Sequence, residues 1–291
     1  MTWSAAWGRW IGTVLRSRVT VFFLLAYAIS WAWLVPWVIA GQSVRQGSGW
    51  PTHVPALLGP LLAALIMTAA TTGRSGLREL AGRLVRWRIG WRWWLAALGP
   101  LVFLLATLAV LAAGGAGLPA PADFAEFSGL PAAWGPVGVA VALLLVDGLG
   151  EEGGWRGYAL PRLSGRLGPV AASLIIAVLW AGWHLPQFLL LDSYRGLSPA
   201  MVPVFLVGLA AGSIVLTWLY NRTGSVAACA VWHTGYNLAS GTAAAGAGGG
   251  MIAVAVWGFV VVSAVVLLVM EWRARRAGRP AVLGRPSTVT V

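Results

Sequence analysis

The chain has 291 residues, 59% of them hydrophobic and 10% charged, with a formal net charge of +12 and a mean hydropathy of +0.79. Soluble domains carry about 25% charged residues, so a water-soluble globular protein is excluded; nor does the positive charge indicate nucleic-acid binding, which needs a basic face on a folded soluble domain. The basic residues are all arginine, which together with abundant Ala, Gly, Val and Trp points to a GC-rich, bacterial coding sequence, and the lone Cys229 excludes an internal disulfide.

Crossing a bilayer takes roughly 20 apolar residues, and the charge-free runs predict about eight helices. The first, near 19–40, has an apolar run longer than the 7–15 residues of a signal peptide and is kept as a span. The second, near 54–73, leads into RSGLRELAGRLVRWRIGWR, residues 74–92, whose arginines alternate with Leu, Val, Ile and Trp in the manner of an amphipathic helix on the inner membrane surface. Further spans follow near 93–114, 136–158, 168–191 and 200–220. The last apolar run breaks at Gly246, Gly248, Gly249 and Gly250 into spans near 224–245 and 251–270. The tail, 278–291, is expected to be disordered. The fold class is therefore all-α, a polytopic helix bundle forming a single membrane-embedded domain over 1–291. With both termini in the cytoplasm, every arginine except Arg45 and Arg195 falls on the inner side, as the positive-inside rule requires of a multi-pass protein of the cell membrane.

Polar groups are scarce inside these spans, and the fourth ends on GLGEEGGWR, residues 148–156. Carboxylates at membrane depth are costly and face a bundle interior or a wet cavity. Glu152 and Arg156, at i and i+4, are placed to pair. Glu151 points about 100° away and shares a face with Asp147, which suits it to general acid–base work; Asp147 itself is read as hydrating the cavity. On other helices stand Trp180 and His184, then His233 and Asn237, each couple four residues apart and so on one face. Taken singly, either histidine would be explained by a bond to a neighbouring backbone carbonyl. Cys229 lies one turn before His233 but is read as a packing residue, and His53, in a loop, receives no role.

Together, EExxxR, an aromatic-xxx-His and HxxxN on three successive polar helices resemble the CPBP family of intramembrane proteases, which includes the CAAX prenyl endopeptidases and the bacteriocin-processing and abortive-infection proteins. The resemblance spans roughly 145–240, within a catalytic core of about 136–245. It departs from the family at Trp180, where Phe is usual. It implies an intramembrane endopeptidase, a hydrolase in which Glu151 activates water, His184, His233 and Asn237 complete the site, and Glu152 and Arg156 fill the remaining motif positions. The same groups, Glu151, His184, His233 and Asn237, are candidate ligands for a divalent metal such as zinc, as in a metalloprotease; Asn is a poor zinc ligand beside His or carboxylate, and a metal-free glutamate mechanism is the alternative. The expected partners are a peptide or membrane-protein substrate and the lipid bilayer, with no nucleic acid. Two other functions are weighed: a non-catalytic membrane partner or immunity factor that retains the motif, and a proton-coupled carrier, against which stands the lack of an inverted repeat. For Glu151 to meet His184, the fourth helix must continue past Gly153 and Gly154 to about Leu160, where Pro161 is expected to end it, and the cavity is expected to open to cytoplasmic water.

Overall fold

The computed structural model describes residues 18–284. Among these it contains helices and four isolated β-bridges, with no strand. The helices are α1 (Arg18–Ile39), α2 (Gly59–Leu84), α3 (Trp91–Ala97), α4 (Gly99–Ala113), α5 (Ala132–Leu167), α6 (Pro169–Leu190), α7 (Met201–Thr223), α8 (Val226–Ser240) and α9 (Ala247–Arg276). The chain is an all-α polytopic bundle.

The expected count of eight spans becomes six helices long and apolar enough to cross, or seven when α3 and α4, bent by 60°, are taken as one. The difference is α8. Its 15 residues rise only about 22 Å, short of the ~30 Å hydrocarbon core. It is short because it starts inside the protein: Ser225 Oγ accepts from Ala228 N at 3.0 Å, a helix N-cap, while its hydroxyl donates to the Arg86 carbonyl at 2.7 Å. Val226, Ala227, Ala228, Cys229 and Ala230 are all fully buried.

Helix α2 runs without interruption by a loop through the 74–92 segment as far as Leu84, with a local break at Gly73 (φ 63°); the backbone is then irregular until α3 begins at Trp91. The 278–291 tail is described as far as Gly284, and there it is docked rather than loose. Asn221 donates to the Leu283 carbonyl at 2.7 Å, Arg222 to that of Val282 at 2.7 Å, and Leu283 N donates to Glu271 at 3.0 Å. The fully buried Leu283 side chain explains the docking, since the apolar residues Val282 and Leu283 complete the core.

Helix α5 is a composite. Two π segments, Leu143–Gly148 and Trp155–Ala159, flank an α-helical turn, Leu149–Gly154, that carries the acidic pair. Contrary to expectation the helix does not stop at Pro161. That residue opens the next α segment, Leu160–Leu167, at a change of hydrogen-bond frame, where a missing N–H is tolerated. The acidic turn is clamped by backbone contact on both sides. A Cβ on Gly150 would lie 2.6 Å from the Leu57 carbonyl oxygen, one on Gly154 2.6 Å from that of Pro60, and one on Gly148 2.8 Å from that of Ala230. Only hydrogen fits at these places.

The bundle has two dissimilar ends. At one, Arg83 donates to the Gly157 carbonyl at 3.1 Å, Arg162 lies near Arg18 and Glu79, Arg222 holds the docked tail, and Arg275 pairs with Glu271, which accepts from Leu283 N. At the other, the loops are knitted into a layer by the bridges Val44 to Leu191, Gln46 to Ser128, Ser48 to Pro131 and Phe127 to Thr242.

Candidate active site

Between the bundle's middle and the bridged layer lies a cavity of about 560 Å³. Asp147, Glu151, Trp180, His184, His233 and Asn237 all line it. Helices α5, α6 and α8 thus bring together every site residue expected from the sequence except Glu152 and Arg156, which lie behind this surface, fully buried.

Glu151 is held by two indoles. Trp180 Nε1 donates to its Oε2 at 2.5 Å and Trp155 Nε1 at 3.2 Å. The chain's departure from the family pattern therefore has a structural use, because phenylalanine at 180 has no N–H to donate. Trp155, four residues after Glu151, was not singled out in the sequence, although the i, i+4 spacing that pairs Glu152 with Arg156 applies to it as well.

Behind Glu151, Arg156 Nη1 donates to Glu152 Oε1 at 2.9 Å, and His233 Nδ1 donates to the same oxygen at 3.0 Å. Arg156 also lies over the Trp180 ring, 4.9 Å from its centroid. With Nδ1 committed to a carboxylate, His233 keeps Nε2 for other partners. His184 is fixed differently. It stands where α6 breaks between Trp183 and Leu185, two residues before Pro186, and its Nδ1 is 2.7 Å from the Trp180 carbonyl. A carbonyl can only accept, so Nδ1 carries the proton and the neutral ring presents a lone pair at Nε2.

Asp147 does more than hydrate the cavity: Asn237 Nδ2 donates to its Oδ2. A ligand atom from each of Asp147, Glu151 and His233 lies within 4.8 Å of the other two. This trio is a close group of acidic and histidine donors among the described residues, and it shares Glu151 and His233 with the expected set of Glu151, His184, His233 and Asn237. Two carboxylates and one imidazole match the three protein ligands of a catalytic zinc, whose fourth position stays open to water. Cys229 is fully buried and donates only to the Leu216 carbonyl, at 3.7 Å, as expected of a packing residue.

His53, given no role from the sequence, also lines the cavity, so all three histidines of the chain gather there. It is 2% exposed, its Nδ1 has no hydrogen-bond partner, and burial together with nearby His184 lowers its pKa to about 3, which keeps it neutral.

The cavity does not open toward the arginine-rich end, as expected, but toward the bridged layer. Its exposed lining residues are Gln46, Ser193, Met201 and Val254. On the other side the packing of Trp155, Arg156, Tyr158 and Tyr220, each fully buried, closes its floor.

Residues 133–239 match the profile of the type II CAAX prenyl endopeptidase Rce1-like family. A CAAX prenyl protease 2 of Methanococcus maripaludis is 25% identical over 236 residues, which cover 75% of this chain and 82% of that protein. The family match falls on the segment that carries the polar motifs, and over residues 133–239 the chain is similar to the CPBP family of intramembrane proteases, as the resemblance in its motifs implied.

Proposed function

We propose that this intramembrane endopeptidase cleaves a peptide or membrane-protein segment by means of water activated by Glu151. The observation that carries the reading is the convergence of Glu151, His184, His233 and Asn237 on one cavity, with Glu151 oriented by two tryptophans. His184 Nε2, a lone pair, accepts one hydrogen of the attacking water, and Glu151 removes the other as the water oxygen bonds to the scissile carbonyl carbon. The negative charge that develops on the carbonyl oxygen is met by His233, which in its doubly protonated form donates from Nε2, and by the second amide hydrogen of Asn237. Glu151 then returns its proton to the departing amide nitrogen, the C–N bond breaks, and a carboxylic acid and an amine result.

Asp147, Glu151 and His233 would hold a divalent cation if one is bound, and such an ion supplies Lewis-acid polarisation and a more acidic water. Elemental analysis of purified wild type and Asp147→Asn decides between the two forms. Stoichiometric metal lost in the variant supports the metal form, and activity that withstands chelators without bound metal supports the glutamate form.

Glu151→Gln keeps shape and hydrogen bonding but cannot take a proton. Membrane peptides from cells carrying wild type should include fragments missing from cells with Glu151→Gln, while the variant unfolds thermally like wild type. The same fragments from both would remove Glu151 from the mechanism.

A further inference from the structure

Two independent asymmetries of the molecule bear on where its substrate comes from. The first is charge. Arg74, Arg78, Arg83, Arg86, Arg88 and Arg92 on and after α2, Arg162 and Arg166 at the end of α5, Arg222 at the end of α7 and Arg273, Arg275 and Arg276 at the end of α9 all belong to one end of the bundle. The bridged layer at the other end has only Arg45 and Arg195, beside the acidic Asp123, Glu126 and Asp192. Short arginine-rich loops and helix ends stay in the cytoplasm.

The second is the cavity. Its lining comes from the bridged layer and from the adjoining halves of the helices, down to Glu151 on α5, Gly212 on α7 and Val260 on α9. Nothing from 74–92, from α5 beyond Glu151, from α7 beyond Gly212 or from the docked tail contributes. The path from the acidic turn to the arginine end is filled by the Phe22, Trp155 and Tyr158 cluster, with Phe22 stacked on Tyr158 at 4.8 Å.

We infer that the cavity opens to the extracytoplasmic side, so that the substrate is a peptide segment exposed on that side of the membrane or lying in its outer leaflet. The naming of a substrate rests on the endopeptidase reading above; the direction of the opening does not. The cavity wall between α7 and α9 includes Met201 and Val254, 41% and 70% exposed, which bring apolar surface to the rim and suit an apolar peptide segment rather than a freely soluble polar one.

The test is thiol accessibility in intact spheroplasts, using a membrane-impermeant maleimide. Wild type, whose single Cys229 is buried, supplies the unlabelled control. Ser193→Cys and Gln46→Cys place thiols on the cavity rim, and Ser75→Cys places one on the exposed arginine end. The rim thiols should label equally before and after permeabilisation, and the thiol at 75 only after it. The reverse pattern overturns the inference. In parallel, a membrane-anchored reporter peptide is presented on either side of the membrane. Cleavage of the exported form by wild type and not by Glu151→Gln supports the substrate class, and cleavage of the retained form alone overturns it. If neither reporter is cut in any membrane, the endopeptidase reading fails while the labelling still fixes the direction of the opening.

Discussion

Replacing Glu152 and Arg156 one at a time and then together separates what this pair does for stability from what it does for chemistry. Both side chains are fully buried and 2.9 Å apart. At an effective dielectric of 20 their attraction is about 6 kcal/mol, but removing each ion from water costs several kcal/mol. Glu152 Oε2 and Arg156 Nε and Nη2 have no hydrogen-bond partner, so the desolvation is incompletely offset and the pair's net contribution is near zero. Losing one member is a different matter. Glu152→Met strands the Arg156 cation and should cost about 3–5 kcal/mol, or roughly 6–20 °C in melting temperature. Arg156→Met should cost less, because His233 at 3.0 Å remains as a partner for Glu152. The double variant carries no buried charge at these positions and should melt within a few degrees of wild type. Its activity should nonetheless fall by roughly 10²–10⁴, because His233 Nδ1 has lost the carboxylate that orients it. Melting in detergent and peptide cleavage are the assays. A double variant as unstable as Glu152→Met, or one with wild-type activity, would refute the reasoning.

Trp180→Phe installs the residue usual in the family and removes the 2.5 Å donor to Glu151, but Trp155 still donates at 3.2 Å. Cleavage should therefore fall by about 10- to 150-fold, the equivalent of the roughly 1.5–3 kcal/mol of one hydrogen bond to a charged group, and collapse to the Glu151→Gln level would show that Trp155 does not suffice. Gly154→Ala drives a methyl to 2.4 Å from Pro60 Cβ and 2.6 Å from Pro60 backbone, so it should destabilise by about 1–3 kcal/mol or more. Gly165→Ala, also helical but with nothing within 4 Å, should be neutral or stabilising; equal melting shifts for the two would falsify the backbone-contact account.

The sequence discloses the polar groups of the site because each is costly in an apolar span, and it discloses local pairs because 3.6-residue periodicity is local. The Glu152 to Arg156 pair is formed as its spacing suggests. It does not disclose partners brought together by packing. Glu152 and His233 are 81 residues apart, and Asp147 and Asn237 are 90 apart. Nor does it disclose that α8 begins within the protein, since a hydropathy window cannot distinguish a core helix from a spanning one. The direction of the cavity depends on where large side chains fill the bundle, and no single segment encodes that. The π segments flanking the acidic turn likewise left no mark in the apolar pattern.

The glycines of α5 have a consequence for motion. Where Gly148, Gly150 and Gly154 press backbone against backbone, the α5 side of the cavity touches its neighbours through rigid carbonyls, with no side chain able to swing aside. The opposite wall is built of side chains from α7 and α9, and the first turn of α9 is interrupted by Gly248, Gly249 and Gly250, all in left-handed conformation with φ of 60°, 69° and 87°. One half of the cleft is an anvil that keeps the acidic turn in register. The side-chain-packed wall is the more compliant of the two, and its backbone is least constrained at the three consecutive glycines of α9.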